Sequence, residues 1–269
     1  MDLLSAVILG CVQGITEFLP VSSTGHLILV RVLLGVDDTN GLAFDAMLHL
    51  ATATAVIVYF FDELWLLLQT FLRKLGRLPV NEKDMTIIKA LVIGSIPAAL
   101  LGVFLESTMN TLFRHPILVA GVLIAGSILF MVAEYKYQNE YHEQEIDVGM
   151  GLKIGLFQTL ALIPGMSRSG ASIVGGMFMG LSRSDAARFA FLLAVPIMLG
   201  AGGKKFLELL TSDTAVAWGP IFLGAAVSFA VGLLAIHFMI SFVRRHTLWP
   251  FIWYRIILAG FVIFVFFFG

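Results

Sequence analysis

This sequence has few charged residues and a single cysteine. Only 13% of its 269 residues are Asp, Glu, Lys or Arg, against roughly 25% in soluble domains, and 59% are hydrophobic. The mean hydropathy of +0.95 indicates an integral membrane protein surrounded by lipid. A net charge of −1 excludes a polybasic nucleic-acid-binding protein, so we expect no nucleic-acid partner. Because Cys11 has no second cysteine in the chain, an internal disulfide is excluded and cysteine-based zinc binding is not expected.

Six apolar windows are long enough to cross a bilayer, since a spanning helix needs about 20 apolar residues. They cover roughly 43–61, 86–105, 116–134, 187–203, 217–243 and 249–268. Two further apolar regions, 3–35 and 152–182, are each interrupted by a cluster of Pro, Ser and Gly. Broken backbone at membrane depth is tolerated only where it is buried in protein or lines a wet cavity. Each interrupted region is therefore predicted to be a re-entrant hairpin of two short helices with a functional tip.

The two interrupted regions resemble each other at an offset of 145 residues. The matched pairs are Gly10/Gly155, Gln13/Gln158, Ser22/Ser167, Gly25/Gly170, Gly35/Gly180 and Phe44/Phe189. Chance matching is the alternative, because Gly and Phe are abundant in apolar chains. Since three crossings separate the hairpins, the second repeat enters from the opposite face. The predicted fold is an all-α integral membrane protein, a single domain of residues 1–269, with six transmembrane helices and two re-entrant hairpins in an inverted-topology repeat of about 1–134 and 147–269.

Lys and Arg are distributed unequally between the two sets of connections. One set holds Arg73, Lys74, Arg77, Lys83, Lys136, Lys153, Arg183, Arg188, Arg244 and Arg245, and the other holds Arg31, Arg114, Lys204 and Lys205. The richer side is predicted to be cytoplasmic. Both termini and the mouth of the first hairpin then face outward, while the second hairpin enters from the cytoplasm. The two tips are expected to meet within the membrane and to form one site.

The two tips carry groups that suit an anion. Ser22, Ser23 and Thr24 precede a helix predicted to begin near His26, where unpaired backbone N–H groups favour negative charge. In the second tip, Arg168 lies between two serines at the start of another predicted helix. A planar guanidinium suits phosphate oxygens, so phosphate or pyrophosphate is the predicted ligand. For any one hydroxyl alone, the alternative is helix capping or a hydrogen bond between helices.

A carboxylate next to the first tip supplies a possible base or metal ligand. Glu17 lies four residues after Gln13, so the two share a helical face. Glu17 can bind Mg²⁺ or Ca²⁺ or accept a proton, and Gln13 can orient it or add an oxygen ligand. The alternative is a structural ion pair between Glu17 and Arg168. His26 can exchange a proton near the phosphate.

Three other polar residues receive minor roles. Gln158, the repeat counterpart of Gln13, is assigned a supporting place in the site. Asp45 and His49 share a helical face but have no polar counterparts in the second repeat, so only a supporting role is considered for them.

The motifs QGITEFLPVSSTGH and FQTLALIPGMSRSG, with the later FLLAVPIMLGA, resemble the bacterial undecaprenyl-pyrophosphate phosphatases of the bacitracin-resistance type. The resemblance covers nearly the whole chain. The family's (Glu/Gln)-x-x-x-Glu element matches Gln13 and Glu17. Its Pro-x-Ser-Ser-x-Gly-His element matches residues 20–26, and its Pro-Gly-x-Ser-Arg-Ser-Gly element matches residues 164–170.

The resemblance implies an enzyme of the bacterial cytoplasmic membrane. Such an enzyme removes the terminal phosphate of undecaprenyl pyrophosphate, and the monophosphate returns to cell-wall polymer synthesis, which confers bacitracin resistance. The resemblance also implies a divalent cation, Mg²⁺ or Ca²⁺, and an active site open to the periplasmic or outer face. The expected partners are the polyprenyl pyrophosphate and membrane lipids. A homodimer stays open, because Gly-rich faces such as Gly94 with Gly102, or Gly121 with Gly126, can pack helices within or between chains.

The predicted catalytic residues are Glu17, Ser23, His26 and Arg168. Ser23 is the candidate nucleophile, although His26 could instead be the nucleophile or activate Ser23. Glu17 with Gln13 would hold the metal or act as base. The phosphate-binding residues are predicted to be Ser22, Thr24, Gly25, Ser167, Arg168, Ser169 and Gly170. The alternative function is an inverted-repeat transporter or flippase for polyprenyl phosphate or another anion.

Overall fold

A computed structural model describes residues 1–36, 41–111, 116–140, 144–211 and 217–268. Within these ranges, every regular element is a helix, as the composition predicts. The helices are α1 (Leu3–Phe18), α2 (Ser23–Leu34), α3 (Gly41–Tyr59), α4 (Phe61–Leu75), α5 (Glu82–Thr111), α6 (Pro116–Glu140), α7 (Val148–Thr159), a 3₁₀ helix (Leu160–Leu162), α8 (Arg168–Phe178), α9 (Arg183–Leu210), α10 (Trp218–Val243) and α11 (Trp249–Phe268).

Five of the described helices are long and apolar enough to cross a membrane. The candidate spans are Glu82–Leu105, Ile117–Asn139, Arg183–Leu210, Trp218–Val243 and Trp249–Phe267. A sixth span arises if the bent pair Phe44–Tyr59 and Phe61–Leu75 counts as one, with an 80° bend between its halves. The prediction of a multi-pass membrane protein is therefore confirmed, with five or six spans.

Several basic residues that were assigned to connections lie within helices, among them Lys136 in α6, Lys153 in α7, and Lys204 and Lys205 in α9. Arg73 and Lys74 lie in the last turn of α4, a helix that begins with Asp62 and Glu63, so its charges complement the helix dipole. Arg31 does not lie in an outer connection. It is buried in the last turn of α2, where its guanidinium is 2.5 Å from the Asp45 carboxylate. Arg114 lies outside the described residues.

Both interrupted regions form a helix, a break and a second helix, as predicted. The first break separates α1 from α2, and the second follows the 3₁₀ helix and ends where α8 begins. Helix α2 begins at Ser23 rather than near His26, because Ser22 caps it: the Ser22 Oγ accepts from the Gly25 N–H at 3.4 Å. In the second break, Ser167 Oγ accepts from the Gly170 N–H at 3.2 Å.

The largest hydrophobic cluster joins residues from both interrupted regions to α9, α10 and α11. At its centre, the rings of Phe18 and Phe191 meet edge to face, with their centroids 5.4 Å apart. Helix α1 packs on α10 where Gly10 meets Gly224, and α7 packs on α5 where Gly155 meets Gly94. Glycine at these crossings lets the backbones approach closely, as is common between membrane helices. The packing brings the two breaks together in the interior.

Candidate active site

Glu17 is the centre of the polar cluster and is only 5% exposed. It lies in the last turn of α1. Its Oε1 accepts a hydrogen bond from the Arg168 guanidinium, which comes from the start of α8. Its Oε2 accepts from the Gln13 amide at 2.8 Å and from the Ser23 hydroxyl at 2.9 Å. One carboxylate therefore connects Ser23, the predicted nucleophile in the first tip, to Arg168 in the second tip.

Glu17 and Arg168 form an ion pair. This pair was the alternative to a role of Glu17 as a base or metal ligand. Both side chains are largely shielded, with 3% and 17% of their surfaces exposed. A buried charge needs a partner, and removal of either member leaves the other uncompensated. The pair does not exclude a phosphate site, because a phosphate oxygen can take the place of a carboxylate oxygen at a guanidinium.

His49, on α3, joins this cluster directly. Its Nδ1 is 3.0 Å from the Gln13 amide nitrogen and 3.3 Å from Glu17 Oε2. Asp45 is engaged with Arg31, so these two residues of one helical face have different environments. The sequence reasoning considered only a supporting role for His49, because the second repeat offers no matching polar residue to indicate its importance.

His26 uses both ring nitrogens on partners other than Ser23. Its Nδ1 lies 2.7 Å from the Ser22 carbonyl oxygen and must donate to it. Its Nε2 is 2.6 Å from the Tyr254 hydroxyl, which then donates to the ring. The two rings stack at 5.6 Å. Tyr254, on α11, is a site residue that the sequence reasoning missed.

The remaining predicted site residues, including the supporting residue Gln158, surround the second break and the cavity. The Ser167 and Ser169 hydroxyls are 3.2 Å apart, and Ser169 Oγ donates to the Leu19 carbonyl at 3.3 Å, which connects the two breaks. Thr24 is exposed on the cavity wall. Gln158 is only 2% exposed, and neither its amide nitrogen nor its amide oxygen has a hydrogen-bond partner.

Arg255 holds the two breaks together, and the sequence reasoning did not identify it. This α11 side chain is fully buried, and its guanidinium carbon lies 4.8 Å from the Phe130 ring centroid. Its nitrogens donate to the Pro20 carbonyl of the first break at 3.3 Å and to the Gly165 and Met166 carbonyls of the second at 3.1 and 3.0 Å. Further bonds reach the Leu123 carbonyl and the Ser127 hydroxyl. An arginine within an apolar span was the signal that could have found it.

A cavity of about 730 Å³ opens beside the cluster. Its polar wall contains Glu17, Ser23, Thr24, His49, Gln158 and Arg168. Apolar side chains, among them Leu27, Val32, Leu162 and Met198, line the rest. A polar end with an apolar wall suits an amphiphile that has an anionic head and a hydrocarbon tail.

A divalent cation fits the first tip in donor chemistry. Across the part of the chain that the structure describes, no three His, Cys, Asp or Glu side chains cluster closely enough for metal binding. A cation at this tip would need an oxygen from another kind of side chain, such as an amide. Gln13 Oε1 is buried and has no hydrogen-bond partner, and it belongs to the residue that contacts Glu17. Carboxylate and amide oxygens are ligands that Mg²⁺ and Ca²⁺ accept.

The fold and the site together define a multi-pass membrane protein with a buried polar cluster beside an apolar cavity. The model of the family described as bacitracin resistance protein BacA matches residues 6–261, and the chain belongs to this family.

Similar proteins from several bacteria are named undecaprenyl-diphosphatase. The protein from Trichlorobacter lovleyi is 42% identical over 259 residues, which cover 95% of this chain and 94% of the relative. The protein from Rubrobacter xylanophilus is 42% identical over 265 residues, 97% of each chain. The protein from Teredinibacter turnerae is 39% identical over 96% of this chain and 97% of its own.

Proposed function

We infer that this chain is an undecaprenyl-diphosphatase. It dephosphorylates undecaprenyl pyrophosphate to undecaprenyl phosphate, which recycles the lipid carrier for cell-wall polymer synthesis and confers bacitracin resistance. Family membership and the names of the relatives support the activity. The observation that carries it in the structure is the meeting of Ser23, Glu17 and Arg168 at one end of an apolar cavity. A transporter needs an anion site but no nucleophile beside an acid, so transport is not favoured.

Ser23 is the proposed nucleophile and Glu17 its base. The Ser23 hydroxyl donates to the Glu17 carboxylate, so the carboxylate oxygen that the cation does not hold can take the proton as Oγ attacks the terminal phosphorus. The new Oγ–P bond forms as the bond from phosphorus to the bridging oxygen breaks, and undecaprenyl phosphate leaves. Glu17 releases the first proton to solvent. Water then attacks the phosphoserine and gives a proton to Glu17, the Oγ–P bond breaks to release phosphate, and Glu17 returns that proton to Ser23 Oγ.

Arg168 is proposed to bind the phosphoryl oxygens. Catalysis of phosphoryl transfer depends on positioning and on neutralising charge at the equatorial oxygens. The guanidinium now bonded to Glu17 Oε1 can turn to the substrate, which frees that carboxylate oxygen. Hydroxyls of Ser22, Thr24, Ser167 and Ser169 and the N–H groups of Gly25 and Gly170 complete the proposed set.

His26 is proposed to position the nucleophile. Its Nδ1–H holds the carbonyl of Ser22, the residue before Ser23, and Tyr254 fixes the ring from the other side. A departing phosphate is a weak base, so the leaving group needs little protonation from an acid. The contact of Ser23 with Glu17 favours the carboxylate over the imidazole as the activating group.

Glu17 and Gln13 are proposed to hold a divalent cation, Mg²⁺ or Ca²⁺. A cation held there would supply charge neutralisation at the pyrophosphate oxygens and the leaving monophosphate. The buried, unpartnered Gln13 Oε1 supports this assignment.

The proposed architecture is an inverted repeat with two re-entrant hairpins. Ser22 and Ser167, matched at the 145-residue offset, share an unusual backbone conformation, with φ of 75° and 73°. Each accepts a bond from the N–H of the glycine three residues later. Few non-glycine residues adopt positive φ, so a shared occurrence at matched positions supports common ancestry of the halves.

The site is proposed to open to the periplasmic or outer face, with both termini outside. Membrane-impermeant thiol labelling tests this orientation in a chain whose Cys11 is replaced by alanine. A cysteine at Leu3 should react from outside, and one at Arg77 should not; the reverse pattern would invert the orientation. The polyprenyl tail is proposed to leave sideways between helices. Gly121, which has open space around it, is a place where a second chain could pack.

Phosphate release from undecaprenyl pyrophosphate tests the function. Purified wild type is compared with Glu17→Ala, Ser23→Ala, His26→Ala and Arg168→Ala, each with and without EDTA. Wild type is expected to release phosphate, and each variant is expected to lose this activity. No release by folded wild type with Mg²⁺ or Ca²⁺ would contradict the function, and full activity of Arg168→Ala would contradict the mechanism.

A further inference from the structure

Three potential metal ligands form a compact triangle on α1 and α3. The Gln13 amide group is 2.8 Å from Glu17 Oε2 and 3.0 Å from His49 Nδ1, and the third edge, from His49 Nδ1 to Glu17 Oε2, is 3.3 Å. Adjacent ligands of an octahedral cation with bonds of about 2.1 Å lie about 3.0 Å apart. The triangle therefore has the dimensions of one face of an octahedron.

The Gln13 amide explains how this triangle can exist with and without a cation. Its NH₂ group now donates to Glu17 Oε2 and faces His49 Nδ1, which must accept. The amide oxygen is left buried without a partner. A half-turn of the amide would place Oε1 between the carboxylate oxygen and the imidazole nitrogen. Three lone pairs would then face one point, an arrangement that a bound cation stabilises.

We propose that His49 is the third protein ligand of the divalent cation, with Gln13 Oε1 and Glu17 Oε2 as the other two. The inference rests on the proposed function, which assigns a cation to Gln13 and Glu17 only. His49 is one-third exposed, and its exposed side lines the cavity. A cation held by these three groups would border the cavity, where phosphate oxygens and water could bind to it.

An imidazole ligand changes the selectivity of such a site. Oxygen-only sites suit Mg²⁺ and Ca²⁺, whereas nitrogen ligands favour first-row transition ions, among which Mn²⁺ also accepts carboxylate and water. The site should therefore bind Mn²⁺ more tightly than Ca²⁺. Replacement of His49 by glutamine, which offers an amide oxygen, should reduce that preference.

Manganese binding without substrate tests the proposal. The purified full-length protein is titrated with Mn²⁺ in detergent, and free Mn²⁺ is followed by its electron paramagnetic resonance signal. Pulsed resonance then detects ¹⁴N coupled to the bound ion. Wild type should show imidazole ¹⁴N coupling. His49→Ala should show no imidazole ¹⁴N coupling, and its affinity for Mn²⁺ should fall at least about tenfold. His49→Gln should lose the coupling, retain part of the affinity and show a smaller preference for Mn²⁺ over Ca²⁺.

The matched control is His237→Ala, which removes an exposed histidine on α10 whose ring bonds to Tyr59. It should leave the coupling and the affinity unchanged. Imidazole coupling that persists in both His49 variants would overturn the proposal, as would the absence of Mn²⁺ binding by folded wild type. Phosphate release by wild type is measured on the same sample. Release without imidazole coupling would contradict only the ligand proposal, whereas no release would contradict the proposed function.

Discussion

Arg168 donates a charge-assisted hydrogen bond to Glu17, although the two residues are 151 positions apart in the chain. Glu17 lies at the end of α1, just before the first break. Arg168 lies at the start of α8, just after the second break. Ser23 uses the other oxygen of the same carboxylate. The base, nucleophile and phosphate-binding group of the proposed mechanism therefore depend on both interrupted regions at once.

Ser23→Ala should abolish turnover, because the hydroxyl that forms the phosphoserine is lost. Ser22→Ala is the neighbouring comparison: it removes a helix cap, which costs about 1 kcal/mol of stability, but it leaves the nucleophile in place. Acid-quenched enzyme examined by mass spectrometry should carry a phosphate at Ser23 in wild type. A phosphate on His26 instead would contradict this assignment.

Gly126→Ala should damage the site through Arg255. A methyl group at Gly126 would meet Arg255 Nη2 at about 2.1 Å, and the guanidinium would have to leave the carbonyls of both breaks. We expect a lower melting temperature and at least about a tenfold loss of phosphate release. Gly260→Ala, on the helix that carries Arg255 and with nothing within 4 Å, should resemble wild type. If the two variants have the same melting temperature and the same rate of phosphate release, the hydrogen bonds of Arg255 to the two breaks are not required for the site.

Gln158→Leu separates a substrate contact from a structural role. The Gln158 amide is buried but makes no hydrogen bond, so an apolar side chain of similar size should not lower the melting temperature. If the amide contacts the pyrophosphate, KM should rise several-fold with little change in kcat. A lower melting temperature with unchanged KM would identify a purely structural residue.

Removal of divalent cations should stop phosphate release by wild type. EDTA is expected to reduce the rate to background, and Mg²⁺, Ca²⁺ or Mn²⁺ should restore it, because the cation is proposed to neutralise charge on the pyrophosphate oxygens. Release that continues at the same rate in EDTA would exclude an essential cation at Gln13 and Glu17.

Much of the fold follows from local features of the sequence. Apolar length indicates the long spans, and the Pro, Ser and Gly clusters indicate the two breaks at the observed positions. The start of α2 was placed too late because Ser22 was read as part of the tip, whereas it caps a helix that begins at Ser23.

The missed residues depend on contacts between distant segments. Arg255 binds carbonyls of residues 89 to 235 positions away, and backbone carbonyls carry no sequence signature. Tyr254 reaches His26 across 228 positions. His49 was underrated because it has no counterpart in the second repeat. An inverted repeat predicts shared framework positions such as Ser22 and Ser167, but it does not predict residues that serve chemistry in one half alone.

A double-mutant cycle on Glu17 and Arg168 tests the shared site most directly. Initial rates of phosphate release from undecaprenyl pyrophosphate are measured for wild type, Glu17→Gln, Arg168→Gln and the double variant, each verified as folded by its melting temperature. Residues that act as a unit have non-additive effects. The rate of phosphate release should fall at least about 10²-fold in each single variant. The rate of the double variant should be only slightly below that of the slower single variant. Near-wild-type release by Arg168→Gln, or losses that multiply in the double variant, would contradict the account.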